Sequence, residues 1–146
     1  MKILLTGHRG FIGSHMLTAL INAGHEVTAW DWLDSTPLPI VAGHDWVVHI
    51  GANSSTVERD VEQIMVMNYD FSVHLYEICA ELGIPFQWSS SASVYGLNTK
   101  FGENDPKDPR SPYAWSKYLF DRHVEKEIWT GSLVQGFRYF NVYGPS

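Results

Sequence analysis

The chain has 146 residues, 45% hydrophobic and 18% charged, which suits one domain with a real core and excludes a disordered or low-complexity segment. A net charge of −6 without any cluster of Lys or Arg argues against nucleic acid or an anionic membrane as partner, and no apolar run is long enough to span a bilayer. Cys79 is the only cysteine, so a disulfide within the chain is impossible. With Met1–Leu5 too short for a signal peptide, the expected compartment is the reducing cytoplasm. The seven histidines lack metal-ligand spacing, so no metal site is expected.

The first element is a short apolar strand, Ile3-Leu4-Leu5, running into Thr6-Gly7-His8-Arg9-Gly10-Phe11-Ile12-Gly13. Glycines at this spacing after a strand permit a tight turn, close approach of backbone to a pyrophosphate, and close packing of the next helix on the strand. That helix is predicted over Phe11 to Ala23 with Gly24 as its cap, and its N-terminus would face the phosphates with free N–H groups. Glu26 to Asp31 reads as the second strand and completes a βαβ start. Asp31 follows Gly13 by 18 residues, where a carboxylate would accept hydrogen bonds from an adenosine ribose. This favours NAD. Two alternatives stay open: Asp31 as a loop cap, and Arg9 as holder of a 2'-phosphate, which would mean NADP.

Trp32 to Asp45 is a proline-bearing loop before the strand Trp46–Ile50. The turn Gly51–Thr56 leads into a long predicted helix, Val57 to Leu82, closed by Gly83. Pro85–Trp88 is the next strand, feeding Ser89-Ser90-Ser91-Ala92-Ser93-Val94-Tyr95-Gly96. After a loop through Pro112 come a helix from Tyr113 to Trp129 and a last strand, Ser132–Tyr139. Alternating strands and helices imply a doubly wound parallel sheet with its ligand beyond the strand C-termini, so Gly7, Ala52, Ser91 and Phe140 should line one crevice. Six Trp, seven Tyr and seven Phe imply a dense core or an apolar surface that something covers.

Tyr113 and Lys117 stand four residues apart on the predicted helix and share a face. A phenol titrates near 10, so it serves proton transfer at neutral pH only if a positive charge favours its phenolate. Lys117 is placed to supply that charge.

Taken in order, Thr6-Gly-x-x-Gly10-x-x-Gly13, Ser89-Ser90-Ser91 before Val94-Tyr95-Gly96, Tyr113-x-x-x-Lys117 and Arg138-Tyr-Phe-Asn141-Val-Tyr-Gly-Pro145 resemble the extended short-chain dehydrogenase/reductase family of NAD-dependent epimerases and dehydratases. Gly51-Ala-x-Ser-Ser-Thr56, Tyr118-Leu-Phe-Asp121 and Gly136–Pro145 extend the likeness to its ADP-glycero-manno-heptose 6-epimerase branch, N-terminal domain only. The resemblance implies Tyr113 as acid/base, Lys117 as the residue that holds the nicotinamide ribose and lowers the Tyr113 pKa, and Ser91 as a hydrogen-bond partner of the reacting oxygen. It implies a cofactor site of Gly7, Arg9, Gly10, Phe11, Ile12, Gly13, Asp31, Ala52, Asn68, Lys117 and Tyr139, with Ser91 and Asn141 toward a nucleotide-sugar substrate. A homodimer through the helices at 57–82 and 113–129 is also implied.

The chain departs from the family in two places. Only the Trp32–Asp45 loop stands where family members have a further strand and helix, so the expected fold is a Rossmann-type sheet shortened by one strand, with the second strand at an edge and cofactor binding weakened. The substrate domain, which in the heptose epimerases carries a second catalytic lysine, has no counterpart in these 146 residues. The expectation is therefore an NAD(P)-binding domain, weakly active or inactive alone. A nucleotide-sugar reductase and a non-catalytic dinucleotide-binding or regulatory module are the alternatives.

Overall fold

The computed structural model describes residues 1–34, 36–55, 57–127 and 133–145. Five parallel strands, β1 (Lys2–Thr6), β2 (Glu26–Trp30), β3 (Trp46–His49), β4 (Phe86–Ser91) and β5 (Val134–Tyr139), form one sheet in the order β2-β1-β3-β4-β5. The order turns back at β1, between β2 and β3, which creates the crevice where this class of sheet takes its ligands.

Strand periodicity builds the layers. Leu4 of β1 and Val47 of β3 point into one core with Phe71, Leu75, Cys79, Phe86 and Phe120, while Ile3, Leu5 and Val48 point into a second with Met16, Leu17 and Leu20 of α1 (Phe11–Asn22). The larger core is closed by α3 (Phe71–Leu82) and α4 (Pro112–Lys126). Among the described residues no helix is long and apolar enough to cross a membrane.

β2 is an edge strand, as expected from the shortened segment after Asp31. That segment does not hang free: Trp30 donates its indole N–H to the Pro37 carbonyl at 2.9 Å, and Val41 is buried in the larger core. Trp30, Trp32 and Phe71 pack with ring centroids 4.9 to 5.1 Å apart. Part of the aromatic content is thus the core that covers this side of the sheet.

Several boundaries differ from the sequence expectation. The long helix starts at Val61, not Val57, because the Asp60 carboxylate caps it by accepting the Gln63 N–H; it runs as α2 (Val61–Ile64), a π-helical segment (Met65–Asp70) and α3. β3 ends at His49. β4 does not end at Trp88 but continues through the serine run to Ser91, in register with β5. α4 begins at Pro112, whose missing N–H costs nothing at a first turn, with Ser111 accepting the Ala114 N–H. The expected helix end at Trp129 and strand start at Ser132 lie outside the described residues.

Candidate active site

The C-terminal ends of the strands open onto a cleft of about 870 Å³. Gly7, Ala52, Ser91 and Phe140 all line it, as do Arg9, Gly10, Phe11, Ile12, Gly13, Asp31, Tyr113, Lys117, Tyr139 and Asn141. Trp32, Leu33, Asn53, Ser54, Met67 and Val142 line it as well and were not singled out. Asn53 and Ser54 could have been found, because they directly follow Ala52 beyond β3.

The glycine turn is fixed by contact between its own backbone atoms. Gly7 sits at φ +83°, and a Cβ there would lie 2.5 Å from the Gly51 nitrogen; a Cβ on Gly13 would lie 1.8 Å from the Gly7 carbonyl oxygen. Gly10 is different. A Cβ on it would meet only the Gly7 oxygen, at 3.5 Å. α1 starts at this open position with no side-chain cap and no acidic residue in its first turn. Uncapped N–H groups at a helix start beside bare backbone fit a pyrophosphate.

Asp31 both lines the cleft and caps a loop: one carboxylate oxygen accepts the Leu33 N–H at 3.0 Å and the other the Arg9 N–H at 3.2 Å. The two readings of Asp31 are therefore compatible.

At the opposite wall, α4 delivers Tyr113 and Lys117. The Lys117 side chain is buried and donates to the Ser89 carbonyl at 2.9 Å, with its Nζ 5.9 Å from the centre of the Tyr113 ring. Burial lowers the ammonium pKa to about 8, against the opposing pull of Asp121. The Tyr113 phenol moves the other way. Burial raises it and the polar influence of Ser91 only partly offsets this, so the expected lowering is corrected: in this structure desolvation dominates. Ser91 accepts the Ser93 N–H at 3.1 Å and the Ser93 hydroxyl at 2.9 Å, whereas Ser90 is buried and donates to Asp121 at 2.6 Å.

Asn68 is the other correction. It does not line the cleft but is 1% exposed behind it. Its amide oxygen accepts the Asn53 N–H at 2.7 Å, and its amide nitrogen donates to the Asn53 carbonyl at 2.9 Å and to the Ser116 hydroxyl at 3.1 Å. Asn68 thus acts on the cleft by clamping Asn53, which does line it. Ser116 in turn donates to the Tyr113 carbonyl at 2.6 Å.

His49 extends this buried network to the glycine turn, and its tautomer follows from its partners. The Ser72 hydroxyl donates to the Asn68 carbonyl, so it accepts from His49 Nε2 at 2.7 Å; in the neutral ring Nδ1 is then an acceptor, and the Thr6 hydroxyl, which also accepts the Gly51 N–H, donates to it at 2.6 Å. Burial, with Lys117 next, lowers the His49 pKa to about 3, and the ring is neutral.

A phosphate-shaped glycine turn facing the half-buried Tyr113, the buried Lys117 and a serine, all beyond the carboxyl ends of a parallel sheet, defines a Rossmann-type protein of the extended short-chain dehydrogenase/reductase class. Comparison with known families makes this definite: the chain belongs to the NAD dependent epimerase/dehydratase family, whose model matches residues 3–146.

Similar solved structures include the UDP-glucose 4-epimerase of Thermotoga maritima with UDP-glucose, at 31% identity and a TM-score of 0.86. They also include the ADP-L-glycero-D-manno-heptose-6-epimerase of Helicobacter pylori, at 28% and 0.84, and the UDP-glucuronic acid 4-epimerase of Bacillus cereus in complex with NAD, at 27% and 0.84. Each alignment covers 99% of this chain but only 57%, 56% and 58% of those chains respectively. The chain spans little more than half the length of the proteins it resembles.

Proposed function

We propose that the chain is the NAD-binding half of a nucleotide-sugar epimerase or dehydratase, with weak or no turnover alone. The observation that carries this reading is the convergence of Tyr113, Ser91 and Lys117 on the cleft formed by the glycine turn. NAD held there supplies a hydride acceptor that can later return the hydride to a sugar carbon. Gly7, Gly10 and Gly13 with the start of α1 bind the pyrophosphate, and Asp31 the adenosine ribose. Tyr113 takes the proton of the sugar hydroxyl as the carbonyl forms and gives it back on return. Ser91 steadies that oxygen, Lys117 holds the nicotinamide ribose, and Asn141 faces the sugar nucleotide.

The similar structures solved with UDP-glucose or NAD support this assignment of ligands. Further proposals are a homodimer, through the helices from Val61 to Leu82 and α4, where Val61, Val66 and Trp115 are exposed, and a reducing compartment such as the cytoplasm, suited to Cys79, whose buried thiol is pushed up to about 12.

The test is titration of the purified chain with NADH and NADPH, followed by energy transfer from tryptophan. Saturable binding that prefers NADH supports the reading; no binding at millimolar cofactor overturns it. Adding UDP-glucose and NAD to the chain alone should give negligible epimerisation, and robust turnover would overturn the expectation of incompleteness.

A further inference from the structure

Arg9 and Lys117 are the cations among the residues lining the cleft, and they sit at opposite ends of it. Lys117 is committed to the Ser89 carbonyl. Arg9, at the adenosine end beside Asp31, is the side chain that could pair with a ribose phosphate. It is committed too. Its Nε lies 2.6 Å from one oxygen of Asp34, and a terminal guanidinium nitrogen 2.6 Å from that same oxygen. The second oxygen of Asp34 accepts the Asp31 N–H at 3.0 Å and lies 3.1 Å from His8 Nε2. Asp34 is 14% exposed while Arg9 is 53% exposed, so the carboxylate is the fixed member of the pair and the guanidinium the reaching one. The His8 hydrogen bond, then that of Arg9, holds the Asp34 carboxyl below its ordinary range.

The charges at this corner are Asp31 and Asp34 against Arg9, a net negative field before His8 is counted. A 2'-phosphate would bring up to two further negative charges and would have to draw Arg9 off Asp34. A free 2'-hydroxyl has no such requirement.

We propose that Asp34 is a positioning residue for cofactor choice: by holding the Arg9 guanidinium it withholds the cation that a 2'-phosphate needs, and so biases the cleft toward NAD over NADP. This rests on the reading of the cleft as a dinucleotide site. Asp34 lies outside the residues that line the cleft and works through Arg9.

The experiment compares dissociation constants for NADH and NADPH in the wild type, Asp34→Asn, Arg9→Met and the double variant, by tryptophan energy transfer. Asp34→Asn keeps an acceptor for the Asp31 N–H and removes the charge; Asp34→Ser is carried in parallel should the first variant fold poorly. Losing the carboxylate should tighten NADPH about tenfold relative to NADH, the worth of one charge-assisted hydrogen bond. That gain should vanish when Arg9→Met is combined with it. An unchanged NADPH/NADH ratio, equal weakening of both cofactors, or a gain that survives without Arg9 overturns the proposal while leaving the cofactor site standing. A wild type that binds neither cofactor overturns both.

Discussion

The Lys117 ammonium donates to the Ser89 carbonyl across 2.9 Å, tying the buried face of α4 to the strand end that carries Ser91. Its burial has a stability consequence with a definite sign. The folded pKa is about 8 against an ordinary 10.5, so between these values the unfolded chain holds a proton that the folded chain has released. Stability from this group therefore rises as pH increases from about 8 to 10.5. Lys117→Met should remove that rise, read from urea denaturation at stepped pH; an identical slope in the variant would refute it.

The opposite end of the network gives an acid-side counterpart. His49 is depressed from 6.5 to about 3 by burial, so the unfolded chain takes up a proton across that interval and the folded chain does not. Its contribution is present above 6.5 and lost as pH falls toward 3. His49→Gln, which retains one donor and one acceptor, should show a flatter loss of stability in acid than the wild type in thermal melts.

Ser91 stands by the Tyr113 phenol in the cleft and pulls its pKa down against the effect of burial. Ser91→Ala should push the Tyr113 pKa higher still. NMR titration of ring-labelled tyrosine, assigned with Tyr113→Phe, measures it directly, and an unmoved or lowered value would break the coupling.

The glycines of the turn should separate under substitution. Gly13→Ala drives a methyl into the Gly7 carbonyl, and overpacking of this kind costs about 1–3 kcal/mol. Gly10→Asp does the reverse: position 10 is the N-cap of α1 in extended backbone, where Asp is a favoured residue, so the variant should melt at or above the wild type. It nevertheless sets an anion where the pyrophosphate belongs, and NADH binding should be lost. A Gly10→Asp chain that still binds NADH would remove the turn from the cofactor site.

β1 and β3 were readable because each is a short apolar run shortly before a glycine, and period two sorts Leu4 from Ile3 and Leu5 and Val47 from Val48, with the parallel register then pairing Leu4 with Val47. Helical spacing paired Tyr113 with Lys117 and the strand-end rule put Ser91 in the crevice, both local rules, while their grouping as one site came from the family resemblance. Sequence reading missed the role of Asn68, whose partners Asn53 and Ser116 lie 15 and 48 residues away, and it missed the direction of the Tyr113 shift, which depends on how deeply the helix is packed. The Asp34 contact with Arg9, across 25 residues, was equally invisible.

The π-helical segment Met65–Asp70 separates the length of the chain from the phase of its helix. A π turn holds one residue more than the α turn it replaces, so deleting one residue there would leave a continuous helix in which α2 and α3 keep their phase and only the segment itself is redrawn. The packed half, from Phe71 to Cys79, would keep its register, and the change would fall on the segment that carries Asn68, the side chain that holds Asn53. Natural length variation at this point would thus spare the core and fall on the cleft, making the segment a place where relatives can diverge in activity without diverging in fold.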